Sequence, residues 1–475
     1  MRAFGGFTLI SVALAAMLSA TSAAEDSAAT VAANAAGYRA SFTCSALFNA
    51  NKSLDQIQQH ELTGIYPQLQ PLVNDSTAVI DYTAKIVAVR YSDTMPPRFA
   101  VWRPQLGCVQ LPVGADISAI EQLPLLAQAK SAPAADSGLP WQTRVAPNSS
   151  SGNAALDQVI TQAFSQHYGA GARTSAVLVA TPEQILAEHY LDGFTPTTSQ
   201  RTWSVAKSIG ASIIGVAVQQ KLLTVQQPAG LANWSSALDP RQQITLEHLL
   251  HMASGLDSQV AGNRTDRVYL GGGLVSDTAT EAALEAQPGA RWKYANNDTM
   301  LVGRVLREQF ASADAYLQFV FSQLINKLGM QHTFLETDWQ GDLIISSQVW
   351  TTARDLARLG ILHLQNGQWQ GEQILPLNWL AYISTPAPVQ PPRVNSVGRA
   401  TPGYGAQWWL FDQGFPGLPS DTIAARGNRG QYLFVIPSRN LVIVRRGYDL
   451  AGEPPFREHE FAADVLNALD SVAQP

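Results

Sequence analysis

The sequence has little charge and no excess of positive charge. Aspartate, glutamate, lysine and arginine make up 14% of its 475 residues, and the formal net charge is −6. In an average globular protein, about a quarter of the residues are charged. Nucleic-acid binding needs a basic face, so the composition excludes nucleic acid as the expected partner. Apolar residues make up 46%, which excludes dominant disorder and provides more core than one small module needs.

Long hydrophobic runs are absent from the sequence except at its N-terminus. Met1 and Arg2 precede an apolar run at 7–18, and small residues follow at 19–24. This order is typical of a cleaved secretory signal peptide, and the run is shorter than the about 20 residues of a membrane-spanning helix. We therefore predict cleavage after residue 23 or 24, export to the periplasm or the medium, and no membrane span. A retained amphipathic anchor is the alternative.

Cysteine is scarce as well. The chain has two, Cys44 and Cys108, and an even number in an exported protein is typical of a disulfide. A disulfide between them would close a loop within the N-terminal region and would stabilise it by about 4 kcal/mol. A pair of buried free thiols is the alternative.

Several catalytic signatures are also missing. The sequence contains no G-x-S-x-G elbow, no P-loop and no H-E-x-x-H zinc helix. No lysine follows the glycines at 271–273, which favours a flexible turn over a phosphate site. His248 and His251 lie three residues apart on a predicted helix, but no third ligand accompanies them, which favours a packed or capping pair. We therefore predict no metal and no cofactor.

The pattern of apolar residues divides the chain into regions. We predict a signal peptide at 1–23, a small mixed accessory domain at 24–130, a linker or extended strap at 131–152, and a larger domain at 153–475. Runs in which apolar residues alternate predict strands at 84–91 and 99–102 in the accessory domain.

The larger domain should combine a sheet with many helices. Its first elements are a predicted helix at 154–167 and strands at 174–180 and 185–190, after which a long helix follows Ser204 and helices dominate 245–329. The last predicted strands lie at 404–411, 422–425, 432–436 and 441–445. The sheet should therefore contain strands from both ends of this domain.

Ser204 and Lys207 form a Ser-x-x-Lys motif where that long helix begins. Residues three apart share one face of a helix, so the amine can reach the hydroxyl. A hydroxyl needs a base at neutral pH, and lysine provides one when burial or another cation lowers its pKa. The motif is short, and a solvated helix face is the alternative.

Tyr294 and Asn296 follow further along the chain. A phenol near a lysine ammonium should have a pKa below its usual value of about 10, so that it can take or relay the serine proton. Asn296 is placed to orient the lysine and a substrate carbonyl.

A third segment, Ala-Arg-Gly-Asn-Arg-Gly-Gln at 425–431, lies between two predicted strands. Gly427 lets a strand edge approach the substrate because it has no Cβ. The backbone N–H groups of Ser204 and Asn428 would then form an oxyanion hole. A glycine-rich hairpin without a role in binding is the alternative.

Together these motifs resemble those of the serine hydrolases related to class C β-lactamases and D-alanyl-D-alanine carboxypeptidases. The similarity extends over about residues 155–460 and includes 245–256, 328–330 and 352–358. The segments at 203–208 and 430–433 are most similar to the branch with 6-aminohexanoate oligomer hydrolases and β-lactamase-like carboxylesterases. The resemblance implies an α/β (α+β) fold, with a mainly antiparallel sheet covered by helices and an all-helical region that holds Tyr294.

The resemblance also implies an activity. An ester, amide or peptide-like small molecule would be cleaved through an acyl-enzyme on Ser204, with Lys207 and Tyr294 sharing acid–base duty. The Ser204 and Asn428 amides would bind the oxyanion.

One departure from the family pattern concerns the third motif. β-Lactamases and carboxypeptidases have Lys-Thr-Gly where this chain has Ala425-Arg426-Gly427. β-Lactamase or D,D-peptidase activity is therefore a less favoured alternative, unless Arg426 or Arg429 points inward and replaces the lysine. A non-catalytic binding or sensing protein that kept the fold is the alternative from another class. The sequence does not predict the oligomeric state.

Overall fold

A computed structural model describes residues 27–126, 141, 143–258 and 266–471. The predicted signal peptide at 1–23 and half of the predicted linker at 131–152 lie outside these residues. Within them, none of the helices has both the length and the apolar character needed to cross a membrane.

Residues 27–126, here called the N-terminal unit, combine helices with an antiparallel sheet. Its elements are α1 (Ala28–Ala50), α2 (Leu54–His60), α3 (Gln70–Asp75), β1 (Ala78–Asp81), β2 (Ile86–Val89), β3 (Arg98–Arg103) and β4 (Gly107–Gln110). The strands pair in chain order, and α1 packs on β2, β3 and β4. The two predicted strands are confirmed as β2 and β3. The predicted disulfide is present and links Cys44 of α1 to Cys108 of β4.

Residues 143–471, here called the C-terminal unit, contain most of the secondary structure. Its strands are β5 (Thr143–Arg144), β6 (Thr174–Ala180), β7 (Gln184–Tyr190), β8 (Gln200–Arg201), β9 (Phe334–Leu335), β10 (Val349–Thr351), β11 (Gln368–Trp369), β12 (Glu372–Gln373), β13 (Gly403–Tyr404), β14 (Trp409–Leu410), β15 (Ile423–Gly427), β16 (Gln431–Ile436) and β17 (Leu441–Gly447). Its helices are α4 (Ala154–Ala163), α5 (Val205–Gln219), α6 (Leu246–Leu250), α7 (Asp266–Tyr269), α8 (Val275–Thr280), α9 (Asn296–Arg307), α10 (Ala313–Val320), α11 (Ala353–Leu364), α12 (Trp379–Ser384) and α13 (Glu458–Asp470).

The main sheet joins strands from both ends of the C-terminal unit, as predicted. In the described part of the chain it has the order β13-β14-β15-β16-β17-β6-β7-β5, and β17 pairs antiparallel with β6. The fold is therefore the predicted mixture of helices and a mainly antiparallel sheet. β5 pairs parallel with β7 at the edge, so this part of the predicted linker is an extended strand of the sheet.

The predicted strand at 404–411 is wrong as a single element. It divides into β13 and β14, which pair with each other across a turn at 405–408. Gln407 in this turn has a φ of 62°, and its side-chain amide donates to the carbonyls of Leu249 and Leu250. Those contacts with α6 bend the chain where the apolar pattern alone indicates a continuous strand.

The two faces of the main sheet carry different helices. Alternate residues of β6 enter two separate cores, because successive side chains of a strand point to opposite faces. Leu178 belongs to the core that contains α5 and α11, whereas Val177 and Val179 belong to the core that contains α4 and α13. α5 is thus covered by the sheet on one side and by the helical region on the other, which buries almost its whole length.

The N-terminal unit lies directly against the C-terminal unit. The Glu336 carboxylate accepts hydrogen bonds from Ser45 and Asn49 of α1. The glycines at 271–273 serve the same contact, since a Cβ on Gly272 would lie 2.4 Å from the Leu111 carbonyl oxygen. This segment is therefore a close packing site between the two units.

Candidate active site

Ser204 occupies a strained turn where the chain enters α5. The residue before it, Trp203, has a φ of 50°, a conformation that a bulky side chain rarely adopts. The guanidinium carbon of Arg201 lies 3.5 Å from the centre of a Trp203 ring and holds this side chain in place. Ser204 itself is only half-buried. The strain therefore presents a serine hydroxyl at the N-terminus of a buried helix, where developing negative charge is favoured.

Lys207 lies one turn further along α5 and is buried. Its Nζ donates to Ser204 Oγ at 3.1 Å, to Asn296 Oδ1 at 2.7 Å and to the Ser346 carbonyl oxygen at 2.7 Å. Burial lowers the pKa of this amine from 10.5 to about 7. The structure thus brings together the predicted Ser204, Lys207 and Asn296, and half of the amine population is neutral near pH 7.

Tyr294 completes this group from the other side of the cleft. Its hydroxyl forms a hydrogen bond with that of Ser204. The Lys207 Nζ lies 5.1 Å from the centre of its ring. The expectation that the lysine lowers the phenol pKa is wrong: burial raises the pKa of Tyr294 to about 12. Burial outweighs the lowering of this pKa by the Ser204 side chain and by the charge of Arg426, so the phenol keeps its proton.

The segment that carries Tyr294 is held by the turn after α6. The backbone N–H of Lys293 donates to the Met252 carbonyl oxygen at 2.8 Å, and Ser254 Oγ donates to Asp298 Oδ1 at 2.8 Å. These contacts explain structurally why the 245–256 segment accompanies the tyrosine motif. They hold the N-terminus of α9 against the turn after α6.

Gly427 ends β15 beside Ser204. A Cβ built on Gly427 would lie 2.3 Å from the Thr202 carbonyl oxygen and 3.2 Å from the Ser204 nitrogen. Only glycine allows this approach. Covalent geometry keeps the Asn428 nitrogen within about 2.5 Å of the Gly427 Cα. The peptide that carries the Asn428 N–H therefore lies next to the Ser204 N–H, at an exposed turn.

The two arginines of the third motif are both engaged. Arg426 forms a salt bridge of 2.6 Å with Glu458, and its guanidinium carbon lies 5.2 Å from the centre of a Trp409 ring. Arg429 donates to backbone carbonyls of the N-terminal unit. Ala425, at the position of the family lysine, is buried in the core. Neither arginine extends a free guanidinium toward Ser204 in place of that lysine.

An aromatic wall borders the site, and sequence reasoning missed it. Trp292, Tyr404 and Trp409 surround Tyr294, with Tyr294 and Trp409 stacked at 5.5 Å between ring centres. Trp292 and Trp409 are half-buried, so part of each residue is exposed beside Tyr294. Trp292 was identifiable by its place two residues before Tyr294, whereas the contribution of Trp409 depends on sheet pairing.

The histidine pair identified in the sequence lies outside this site. His248 Nδ1 accepts a hydrogen bond from the Thr245 N–H and so caps α6, and the His251 ring stacks on Tyr382. Their interpretation as capping and packed residues is confirmed.

Comparison with known proteins shows to which family this architecture belongs. The family model described as beta-lactamase matches residues 160–453, more than half of the chain. The chain belongs to the beta-lactamase family. The match covers the Ser-x-x-Lys, tyrosine and glycine segments in their order along the chain. The predicted assignment as a serine hydrolase is thereby confirmed.

Individual members of the family are distant relatives. A 6-aminohexanoate-dimer hydrolase of Paenarthrobacter ureafaciens is 24% identical over 326 residues, which cover 63% of this chain and 79% of the relative. An uncharacterized protein of Alkalihalophilus pseudofirmus is 25% identical over 287 residues, which cover 57% of this chain and 78% of the relative.

Solved structures of the beta-lactamase family share the fold of the C-terminal unit. A family VIII carboxylesterase has a TM-score of 0.54 at 12% identity, with 67% of this chain and 97% of that chain covered. A penicillin-binding protein homologue from Caulobacter crescentus has a TM-score of 0.52 at 14% identity, with 67% and 96% covered.

Proposed function

We propose that this protein is an exported hydrolase that cleaves an ester or amide bond through a covalent acyl-enzyme on Ser204. The observation that carries the proposal is the buried Lys207 amine at 3.1 Å from the Ser204 hydroxyl oxygen. No ion pair of this lysine occurs in the part of the chain that the structure describes. A binding protein does not require a buried amine with a pKa near 7 next to a hydroxyl. A nucleophilic serine does require such a base.

Lys207 acts as the base that activates Ser204. A neutral amine has two N–H groups and one lone pair, and the two 2.7 Å contacts to Asn296 Oδ1 and the Ser346 carbonyl use the N–H groups. The lone pair is then directed toward the Ser204 hydroxyl and can accept its proton as the oxygen attacks the substrate carbonyl. A pKa near 7 suits a general base at neutral pH.

Tyr294 acts as the acid for the leaving group. Its phenol is protonated at neutral pH because burial raises its pKa to about 12, and it hydrogen-bonds with Ser204. It therefore holds a proton within reach of the leaving oxygen or nitrogen when the tetrahedral intermediate collapses. Water then attacks the acyl-enzyme and Ser204 leaves, with the same groups working in reverse.

The amides of Ser204 and Asn428 stabilise the oxyanion of that intermediate. Support comes from the approach of Gly427 to the Ser204 nitrogen at the N-terminus of α5. Two backbone donors in fixed positions need no reorganisation during the reaction, which is why such a site is often the largest contribution to acyl transfer.

We propose that the substrate is a small ester or amide with an apolar group beside the bond that is cleaved. Trp292 and Trp409, which pack on the buried Tyr404, are half-buried and offer apolar surface there. Arg426 and Arg429 bind other partners, so the third motif supplies no free cation for a β-lactam or D-Ala-D-Ala carboxylate. The relative from Paenarthrobacter ureafaciens is named for cleavage of a small amide dimer, which agrees with this class.

Export is supported by the N-terminal segment and by the disulfide between Cys44 and Cys108, which needs an oxidising compartment to persist. Expression of the full chain in a bacterial host, followed by N-terminal sequencing of the extracytoplasmic protein, tests it. We expect a mature chain that starts at residue 24 or 25. A chain recovered only from the cytoplasm with Met1 intact would contradict export.

The catalytic proposal is tested by intact-mass measurement after treatment with a fluorophosphonate. We expect one adduct per chain in the wild type and in Ser235→Ala, which removes an exposed serine, and none in Ser204→Ala. The absence of an adduct between pH 6 and 9 would favour a binding or sensing protein. Turnover of a chromogenic cephalosporin at rates comparable to those on p-nitrophenyl esters would favour a β-lactamase instead.

A further inference from the structure

Arg429 joins the active-site turn to the N-terminal unit. Its Nη1 donates to the His60 carbonyl oxygen at 2.6 Å, and its Nη2 donates to the carbonyl oxygens of Thr63 and Gly64 at 2.5 and 2.8 Å. One guanidinium is thus bound by three backbone acceptors from the far end of the chain. Arg429 directly follows Asn428 in sequence and adopts a φ of 55° in this turn.

The C-terminal unit also holds this turn, because β15 and β16 pair on either side of it, with Gly427 opposite Gln431. The carbonyl oxygen of Arg429 accepts hydrogen bonds from the Asp449 N–H and the Gln431 side chain, and that of Gly430 accepts one from Arg445. These contacts all bind carbonyl groups after Asn428. The Arg429 side chain is the contact that ties the turn to residues 60–64.

The segment at 60–64 is itself firmly anchored. The Glu61 carboxylate is buried in a 2.6 Å salt bridge with Lys52, and its carbonyl accepts a hydrogen bond from Tyr38. The His60 ring stacks on Tyr448 of the C-terminal unit at 4.4 Å between ring centres. The three carbonyl acceptors are therefore fixed points relative to both units.

We propose that Arg429 is a positioning residue through which the N-terminal unit sets the oxyanion hole. The inference rests on the proposed function, because it assumes that the Asn428 N–H binds the oxyanion. Residues 60–64 hold the Arg429 guanidinium, the guanidinium fixes the turn, and the turn aims the Asn428 N–H at the same point as the Ser204 N–H. The N-terminal unit thereby forms part of the catalytic apparatus without contacting the substrate.

A substitution in the N-terminal unit gives the sharpest test. Gly64 has a φ of 67°, and a Cβ on it would lie 3.3 Å from Arg429 Nη2, so Gly64→Ala should strain the backbone that carries one of the three acceptors and shift the guanidinium by a few tenths of an ångström. Gly114→Ala is the matched control, since Gly114 has a φ of 83° and a Cβ on it would meet Met95 at 3.2 Å, within the N-terminal unit. Both variants carry a similar backbone strain, but only the first touches Arg429.

Three measurements on the full chain separate positioning from general damage. They are the rate at which an activated ester acylates Ser204, the kcat and KM for a p-nitrophenyl ester, and the affinity for a boronic acid, which mimics the tetrahedral intermediate. We expect Gly64→Ala to lower the acylation rate, kcat and boronate affinity by about tenfold each, with KM changed less than about twofold. Outright removal of an oxyanion donor typically costs 10²–10³-fold, and a misaligned donor should cost less.

Variants of the arginine itself provide a second line. Arg429→Ala should lower acylation at least as much as Gly64→Ala, and Arg429→Lys should fall between it and the wild type, because an ammonium cannot bind three spread acceptors equally well. If Arg429→Ala does not fold, the results for Gly64→Ala and Arg429→Lys still test the proposed positioning role. Wild-type acylation in Gly64→Ala, or equal losses in Gly64→Ala and Gly114→Ala, would overturn the inference. No adduct in the wild type would overturn the proposed function instead.

Discussion

Two buried lysines in this protein have opposite surroundings. Lys52, in the N-terminal unit, lies 2.6 Å from the Glu61 carboxylate and 4.4 Å from the centre of the Tyr448 ring. Lys207, in the C-terminal unit, contacts a hydroxyl, an amide oxygen and a carbonyl oxygen, none of them charged. Burial lowers the pKa of both amines, but only at Lys52 does a carboxylate oppose that lowering.

The difference shows that the group in contact with the amine, and not burial alone, separates a lysine with a structural role from one suited to proton transfer. The pKa of Glu61 is lowered as well, so Lys52 and Glu61 form an ion pair that holds one segment of chain. Lys207 reaches a pKa of about 7 and can exchange protons at neutral pH. In the proposed mechanism, the N-terminal unit uses its buried lysine to fix the residues that bind Arg429, and the C-terminal unit uses its own lysine for the reaction.

Removal of Lys52 should have the largest effect of the changes considered, and this effect should be a loss of stability. Lys52→Met leaves the Glu61 carboxylate buried without its cation, which typically costs about 3–5 kcal/mol. Denaturant unfolding at pH 7 measures this loss. The double variant Lys52→Met with Glu61→Gln should recover part of it. An unchanged unfolding midpoint in the single variant would mean that Lys52 does not neutralise a buried charge.

Removal of Lys207 should instead affect activity. Lys207→Ala is expected to slow acylation of Ser204 by at least about 100-fold, the cost typical of a lost general base. Stopped-flow acylation by an activated ester measures it. Lys221→Ala, at an exposed lysine just after α5, is the control and should keep the wild-type rate. Undiminished acylation in Lys207→Ala would remove the lysine from the mechanism.

The pH dependence of acylation should follow the same amine. Below its pKa of about 7, Lys207 is protonated and cannot act as a base, so the rate should rise about tenfold per pH unit and level off above pH 7. Tyr294, with a pKa of about 12, adds no step below pH 9. Acylation rates from pH 5 to 9 test this. A rate that is flat across pH 7 is incompatible with this assignment.

A smaller effect should appear in the pH dependence of stability. Between pH 7 and 10.5, the unfolded chain binds a proton at Lys207 that the folded protein has released, so stability from this group rises with pH through that window. Below pH 7, the penalty of burying the ammonium is fully present. The unfolding free energy of Lys207→Met minus that of the wild type should therefore be larger at pH 6 than at pH 9. Equal differences at both values would contradict a lowered pKa.

The sequence predicted the elements whose signal is local. β6 was predicted at its observed bounds because a run of five apolar residues after Thr174 and Ser175 suits a strand buried on both faces. The Ser-x-x-Lys and tyrosine segments were found because each is short and contiguous. Helix α1 was missed at 28–50, since its many alanines and its small polar residues give little amphipathic pattern.

Features that depend on tertiary packing escaped sequence reasoning. The pKa of Tyr294 was expected to fall and instead rises, because burial of the phenol is a property of the whole cleft. The carbonyl of Ser346, which binds the Lys207 amine, is a backbone group with no side-chain signature. The partners of Arg429 are backbone carbonyls as well, so no motif could show that this arginine belongs to the N-terminal contact.

Because β6 pairs with β17, the main sheet of this enzyme can close only late in chain synthesis. The two central strands of the main sheet come from opposite ends of the C-terminal unit, with Ala180 opposite Val442. Such distant contacts close slowly, because a long loop must be ordered before they form. The sheet cannot close on the ribosome until almost the entire chain has been made, which leaves a nascent polypeptide that a translocation channel could still thread in the proposed export.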